Sequence, residues 1–315
     1  MNDKIKLLAI VGTTASGKTR FAVNMAKRFD GEVVSCDSMQ VYKGMEIATA
    51  APTKSEQQGV PHHLVSILDP VEDFSVSRFC EMAKECISDI TLRGRLPILC
   101  GGTGLYYSSL VDDLSFLDAP ADESIRSELY SRAEKEGGEA LLRELAQFDP
   151  ETAARLHPNH ISRIVRAIEI YRISGMTLSQ QNRMSKQNGS RYDLLSIGIG
   201  FEDREKLYGR INKRVDIMLG SGIIEEAKRS LSENMGTAAQ AIGHKELAGY
   251  IAGVEPLGPA VERLKQQTRR YAKRQLTWFR RDGRINWLYA DKYACEEEMI
   301  QDGVNIITKW LGVEE

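Results

Sequence analysis

Ile5-Lys6-Leu7-Leu8-Ala9-Ile10-Val11-Gly12-Thr13-Thr14-Ala15-Ser16-Gly17-Lys18-Thr19 is the stretch on which the reading of this chain turns. Ile5 to Val11 is a short, nearly continuous apolar run of the kind that forms a buried parallel strand. Gly12 to Thr19 then matches G-x-x-x-x-G-K-[ST] at every position. Glycines let such a loop curl until its N–H groups converge on phosphate oxygens, and the following helix N-terminus adds partial positive charge. Lys18 supplies a full charge and Thr19 a hydroxyl within reach of a metal ion. A helical pattern, Lys18 to Arg28, follows directly. Loops of this type usually hold ATP, but the motif specifies phosphate and not a reaction.

Working outward, further short apolar runs lie at Val33 to Cys36, Pro97 to Cys100, Leu194 to Ile199 and Ile285 to Tyr289. A helical pattern from Ser77 to Arg93 separates two of them. Strand and helix in alternation predict an α/β fold, a P-loop NTPase-like core with a doubly wound parallel sheet. The alternation breaks after Leu110. From there to about Arg191 the chain reads as charged helices (Ser124 to Glu136, Gly138 to Gln147, Pro150 to Leu156, Ile161 to Ile173) with Gly175 as a stop. The expected organisation is therefore a core of residues 1–110 and 192–315 and an all-helical insertion of residues 111–191. Gln180 to Arg191 reads as a mobile connection, and Arg204 to about Arg281 as further helix with a turn from Gly253 to Pro259.

The 315 residues are 42% apolar, enough to bury a full core, and no stretch approaches a membrane span. A cytoplasmic location is the expectation. Five cysteines without a C-x-x-C pair point to reduced thiols, and His157 with His160 lacks the further ligands of a zinc site. The net charge of −2 conceals a basic segment: Arg263 to Arg284 holds nine bases against the single acid Asp282, interleaved with Tyr271, Trp278 and Phe279. Such a segment suits phosphate neutralisation and base stacking, or else it is a solvated helix face.

A P-loop NTPase usually carries a metal-holding acid at the end of a later strand, but the run Pro97 to Cys100 ends in Gly101-Gly102-Thr103. The acid appears instead as Asp37, after Val33 to Cys36, at the strand edge where open α/β sheets place their ligands. Asp37 could take a proton from a nucleophile, hold magnesium, or cap the next turn. The segment after it, SMQVYKGMEIATAAPT, reads as a loop lining a substrate.

Together GTTASGKT, SCDSMQVYKGMEIATAAPT, PHHLVSILDP, LPILCGGTGLYY and HPNHISRIVRAIEIYRISG resemble the tRNA dimethylallyltransferase family over essentially the whole chain. The resemblance implies transfer of a dimethylallyl group from dimethylallyl diphosphate to N6 of the adenosine adjoining the anticodon in tRNA, with release of diphosphate. It implies that Gly12, Thr13, Thr14, Ala15, Ser16, Gly17, Lys18 and Thr19 grip the diphosphate, with Thr19 also on Mg2+. Asp37 becomes the general base and Arg214, with Arg210 one turn earlier, the cation on the leaving group. Implied tRNA contacts are Asp37, Ser38, Met39 and Gln40; Thr103 and Arg126; Ser162, Arg163, Ile164, Val165 and Arg166 on the insertion; and Gln240, Ala241, Ile242, Gly243, His244 and Lys245. The insertion would grip the anticodon stem-loop, and a monomer is expected. Rival readings are an adenylate isopentenyltransferase acting on AMP or ADP, a small-molecule kinase with Asp37 as base, and a non-catalytic nucleotide-gated RNA-binding protein.

Overall fold

A computed structural model of the chain describes residues 4–114, 122–187, 189–232 and 237–312, apart from the side chains of residues 185–187 and of Gln240. The chain divides into two units, one formed by Met1–Val111 with Arg191–Glu315, the other by Asp112–Ser190.

The first unit opens with β1 (Ile5–Gly12), α1 (Lys18–Arg28), β2 (Gly31–Ser35), α2 (Glu46–Thr49), α3 (Lys54–Gln57), β3 (His62–His63), α4 (Val76–Leu92), β4 (Leu96–Gly101) and α5 (Gly104–Val111). The second unit is helical among its described residues: α6 (Glu123–Glu136), α7 (Gly138–Phe148), α8 (Pro150–Ala153), α9 (Ile161–Ser174) and α10 (Leu178–Gln187). The chain then resumes the first unit with β5 (Tyr192–Gly200), α11 (Arg204–Gly220), α12 (Ile223–Ser232), α13 (His244–Ile251), α14 (Leu257–Phe279), β6 (Ile285–Tyr289) and α15 (Glu296–Leu311).

The strands form one parallel sheet in the order β3-β2-β4-β1-β5-β6. Alternation along the central strand β1 builds a core on each face. Leu7, Ala9 and Val11 pack with Phe79, Ala83 and Ile87 of α4 and with α5. Leu8 and Ile10 face Phe21 and Met25 of α1 and Val304 and Ile307 of α15. This is a doubly wound sheet: the connection from β1 leaves toward β2 while that from its neighbour β4 leaves toward β5, so the winding reverses between β1 and β4. The carboxyl ends of β1, β2 and β4 therefore open on one crevice.

In the second unit, Leu129, Leu141, Leu145, Ile164, Val165 and Ile168 form a separate core. Helix α9 ends at Gly175, in the left-handed region at φ 68. The segment from Gln180, expected as a mobile connection, is instead helical in its first part, because α10 occupies Leu178–Gln187. Thr177 and Gln180 explain it: the Gln180 amide donates to Thr177 Oγ1 at 3.2 Å and the Thr177 amide donates to Gln180 Oε1 at 2.9 Å. That reciprocal capping box starts a helix despite a polar sequence. In the basic helix, Phe279 is fully buried and packs edge-on against Tyr107, so it is not available for stacking on a base.

Candidate functional site

The phosphate loop joins β1 to α1. Gly17 sits at φ 98 as the N-cap residue of α1, a conformation that leaves the first helical N–H groups facing outward. Lys18 Nζ donates to Thr13 O at 3.2 Å, folding the side chain back across the loop. Thr13 Oγ1 and Ser16 Oγ are buried hydroxyls without a partner among the described residues. Leaving polar atoms unsatisfied costs about 1–3 kcal/mol each, so this loop is shaped for an oxygen-rich ligand. Burial lowers the Lys18 ammonium below the ordinary lysine range, against the pull of nearby Cys100 and Asp37.

Asp37 follows β2, next to the end of β4, where the Cys36 amide donates to Cys100 O at 2.8 Å. Its Oδ1 accepts the amides of Met39 at 3.0 Å and Gln40 at 3.4 Å. The capping role open to Asp37 is thus real and uses one oxygen. Oδ2 makes no hydrogen bond among the described residues, and Asp37 lines the cavity described next. Ser38 is held by its amide, which donates to Thr103 Oγ1 at 3.1 Å.

A cavity of about 320 Å³ extends from Thr14, Lys18 and Thr19, past Asp37 and Gln40, to Arg214 and Tyr271. That volume suits a small phosphorylated molecule. Its farther side is apolar, with Val215, Met218, Ile242 and Leu264. Two arginines of α11 reach the loop: Arg210 Nε donates to Ala15 O at 2.8 Å and Arg214 Nη1 to Thr14 Oγ1 at 3.3 Å. Burial lowers the Arg214 pKa from its ordinary value, with Glu56 and Asp37 acting against it. Arg214 remains a cation, since arginine starts from above 12.

Among the described residues, no group of three His, Cys, Asp or Glu could hold a metal ion. A divalent cation fits this loop only through Thr19 together with phosphate oxygens of a bound ligand, a hard-oxygen set suited to magnesium.

Some residues decisive for the cavity carry no sequence signal. Gln275, 4% exposed on α14, accepts the Thr14 amide at 2.8 Å and donates to Gly102 O at 2.9 Å. A Cβ on Gly102 would stand 2.2 Å from Gln275 Nε2, which is why a glycine occupies that position. Tyr271, by contrast, is one of the aromatics of the basic segment; it lines the cavity, and burial pushes its phenol well up. Glu226, on α12, is 2% exposed and holds the amides of Ile47 and Ala48.

The residues expected to touch nucleic acid divide sharply. Ser38, Met39, Gln40, Ala241, Ile242 and Lys245 line the cavity, and Gly243 packs beside Ala48. His244 is 3% exposed with Nε2 at 2.9 Å from Glu226 Oε1, so its side chain is a core group. The side chain of Gln240 lies outside the described residues. In the second unit Arg163 is exposed and Ser162 exposed too, whereas Ile164 and Val165 point into the core, because a helix carries only about half its residues on its outer face. Arg126 and Arg166 both bond the fully buried Glu169. Burial would raise that carboxyl, but Arg166, the Asp122 amide and Arg126 together hold it below the ordinary range.

Of the nine bases in the basic segment, Arg263 pairs with Glu255, Lys265 with Asp216 and Arg284 with Asp282, and Arg269 donates to Asn212 Oδ1 at 2.7 Å. Arg270, Lys273, Arg274, Arg280 and Arg281 are exposed.

Residues 40–282 match the IPP transferase family and residues 5–65 the isopentenyl transferase family. A tRNA dimethylallyltransferase of Caldanaerobacter subterraneus is 45% identical over 94% of this chain and 95% of its own. One of Halalkalibacterium halodurans is 47% identical over 90% and 91%. The solved tRNA isopentenylpyrophosphate transferase of Bacillus halodurans aligns with a TM-score of 0.73 at 44% identity, covering 98% of this chain and 97% of that one. A eukaryotic dimethylallyltransferase solved acting on tRNA aligns with a TM-score of 0.82 at 29% identity, covering 96% and 80%. Matched along nearly its whole length, and carrying the phosphate loop, Asp37 and Arg214 on one cavity, this chain belongs to the IPP transferase family that includes the tRNA dimethylallyltransferases.

Proposed function

We propose that this protein is a tRNA dimethylallyltransferase, moving the five-carbon group of dimethylallyl diphosphate to N6 of the adenosine 3′-adjacent to the anticodon. The observation that carries the proposal is that a phosphate loop, a carboxylate with one free oxygen and a half-buried arginine share one cavity with an apolar side. An apolar wall beside the phosphates suits the hydrocarbon of an allylic diphosphate.

The donor's diphosphate lies on Gly12 to Thr19, bonded by loop amides, by Lys18 and by the hydroxyls of Thr13 and Ser16. Thr19, together with diphosphate oxygens, would hold magnesium, which would supply charge neutralisation there. The adenine amine is a weak nucleophile, and its base must leave the stack to enter the cavity. Asp37 Oδ2 accepts its N–H and takes the proton as nitrogen bonds to the allylic carbon and the carbon–oxygen bond to diphosphate breaks. Arg214 and Lys18 stabilise the charge that gathers on the departing diphosphate. Around the cavity, Ser38, Met39, Gln40, Thr103 and Lys245 contact the acceptor, and the second unit offers Ser162 and Arg163, with Arg126 and Arg166 also held at its surface. The protein acts as a monomer in the cytoplasm; no described helix is long and apolar enough to cross a membrane.

The test is to supply labelled dimethylallyl diphosphate or labelled ATP with unmodified tRNA or AMP. Label from the prenyl donor on tRNA is expected. Label moving only from ATP would make the protein a kinase, and label on AMP an adenylate isopentenyltransferase.

A further inference from the structure

One turn of helix, α2, links the buried Glu226–His244 contact to the cavity. At its start, Met45 provides no side-chain cap. Glu226 of α12 does so from a distance: the Ile47 amide donates to its Oε2 at 2.8 Å and the Ala48 amide to its Oε1 at 2.8 Å. His244 Nε2 adds a third hydrogen bond to Oε1 at 2.9 Å. Both side chains are almost wholly buried, so neither meets a substrate.

At the other end of α2 the carbonyls face the cavity. Gln40 Nε2 donates to Thr49 O at 3.3 Å and Ala50 O at 3.2 Å, and Arg214 Nη2 donates to Ala50 O at 3.4 Å. Arg214 makes no ion pair among the described residues; its partners are this carbonyl and Thr14 Oγ1 at 3.3 Å. A guanidinium resting on two neutral oxygens is held only as well as those oxygens are. Thr14 is fixed in turn by Gln275, and Ala50 by the turn that Glu226 caps.

We propose that Glu226, kept in place by His244, is a positioning residue for Arg214. Its carboxylate fixes the amide end of α2, and the rigid turn carries that constraint onward to the carbonyl beneath the guanidinium. A misplaced cation next to a leaving group loses transition-state stabilisation while substrate binding is largely kept. The inference rests on the prenyl transfer proposed above.

A mutant cycle tests it. Glu226→Gln, which keeps the shape but faces an NH2 toward one of the donors, is expected to lower kcat about 10-fold while leaving KM for tRNA within about 2-fold. In an Arg214→Ala background the same change is expected to alter single-turnover rate by less than about 2-fold, because the residue through which it acts is gone. Equal falls in both backgrounds would overturn the proposal and leave Glu226 a general stabiliser. If Glu226→Gln does not yield folded protein, His244→Leu is put through the same cycle, with a fall of about 3-fold expected only where Arg214 is present. Wild-type protein that transfers no dimethylallyl group would instead overturn the functional assignment, so the two failures read differently.

Discussion

The amide of Thr14 donates to Oε1 of Gln275 at 2.8 Å, joining the phosphate loop to the buried face of α14. The same side chain donates to Gly102 O, so one amide group spans the ends of two adjacent parallel strands, β1 and β4. Gln275→Leu strands a donor and an acceptor, each costing about 1–3 kcal/mol in a buried setting. Affinity for inorganic pyrophosphate should fall about 10-fold or more by calorimetry, with a lower melting temperature. Pyrophosphate binding at wild-type strength would mean that the loop holds its shape unaided.

Asp37→Asn separates the two uses of that carboxylate. Asparagine still offers an oxygen to the amides of Met39 and Gln40, so the turn survives. The base does not. Turnover is expected to drop by about 10²-fold or more with tRNA affinity nearly intact. Asp37→Ala should show the same loss with some added disorder of the turn, and a variant that binds tRNA poorly but turns over normally would show that Asp37 serves recognition.

Charge reversal at Arg270, Lys273, Arg280 and Arg281 addresses the exposed portion of the basic segment. If these bases neutralise RNA phosphates, tRNA affinity falls and its dependence on log salt becomes shallower, by about 0.7–0.9 for each phosphate no longer neutralised. Reversing Arg263 or Lys265, both engaged by acids, should leave that slope alone and instead lower stability. An unaltered slope in the first variant would make the exposed face merely a solvated one.

Acid stability depends on a cluster away from the cavity. Glu32 on β2 is 1% exposed and bonds Arg93, His63 and Arg95. Arg93 above all holds its carboxyl at about 2, from an ordinary value of 4.5, against the effect of burial. A carboxylate with a depressed folded pKa stabilises the fold above about 4.5 and loses that contribution as pH falls toward about 2. Glu32→Gln should therefore cost on the order of 2–3 kcal/mol at neutral pH and flatten the decline across that acid window in urea titrations. A decline of unchanged steepness would assign acid sensitivity to other groups.

The parts of this fold readable in advance are those where local pattern and tertiary role agree. Strand, loop and helix from Ile5 to Arg28 emerge where glycine spacing and apolar runs put them. β3 is only His62–His63, too short to carry a period, and its pairing with Val33 and Val34 is a tertiary matter. The polar composition of α10 hides it in the sequence, because the Thr177–Gln180 cap that starts it is a quieter signal than its lack of apolar residues. Arg210 and Arg214, one turn apart, stand out only through the family resemblance, since the same spacing suits a surface salt bridge equally well. Gln275, Glu226 and the buried His244 are not legible in their roles, since a single amide or carboxylate that bonds main chain far away leaves no mark on its neighbours.

Thr14 and Gln275 lie 261 positions apart, and that separation has a consequence for the life of the chain. Ribosomes deliver the protein from its N-terminus, so β1 and the loop emerge while α14 is still unmade. Until α14 arrives, the loop lacks its bond to Gln275 and the cavity lacks Tyr271, Arg274 and Gln275. A nascent chain thus carries every residue of the phosphate motif before its cavity is finished. Emergence of α14 is therefore the step that completes the cavity.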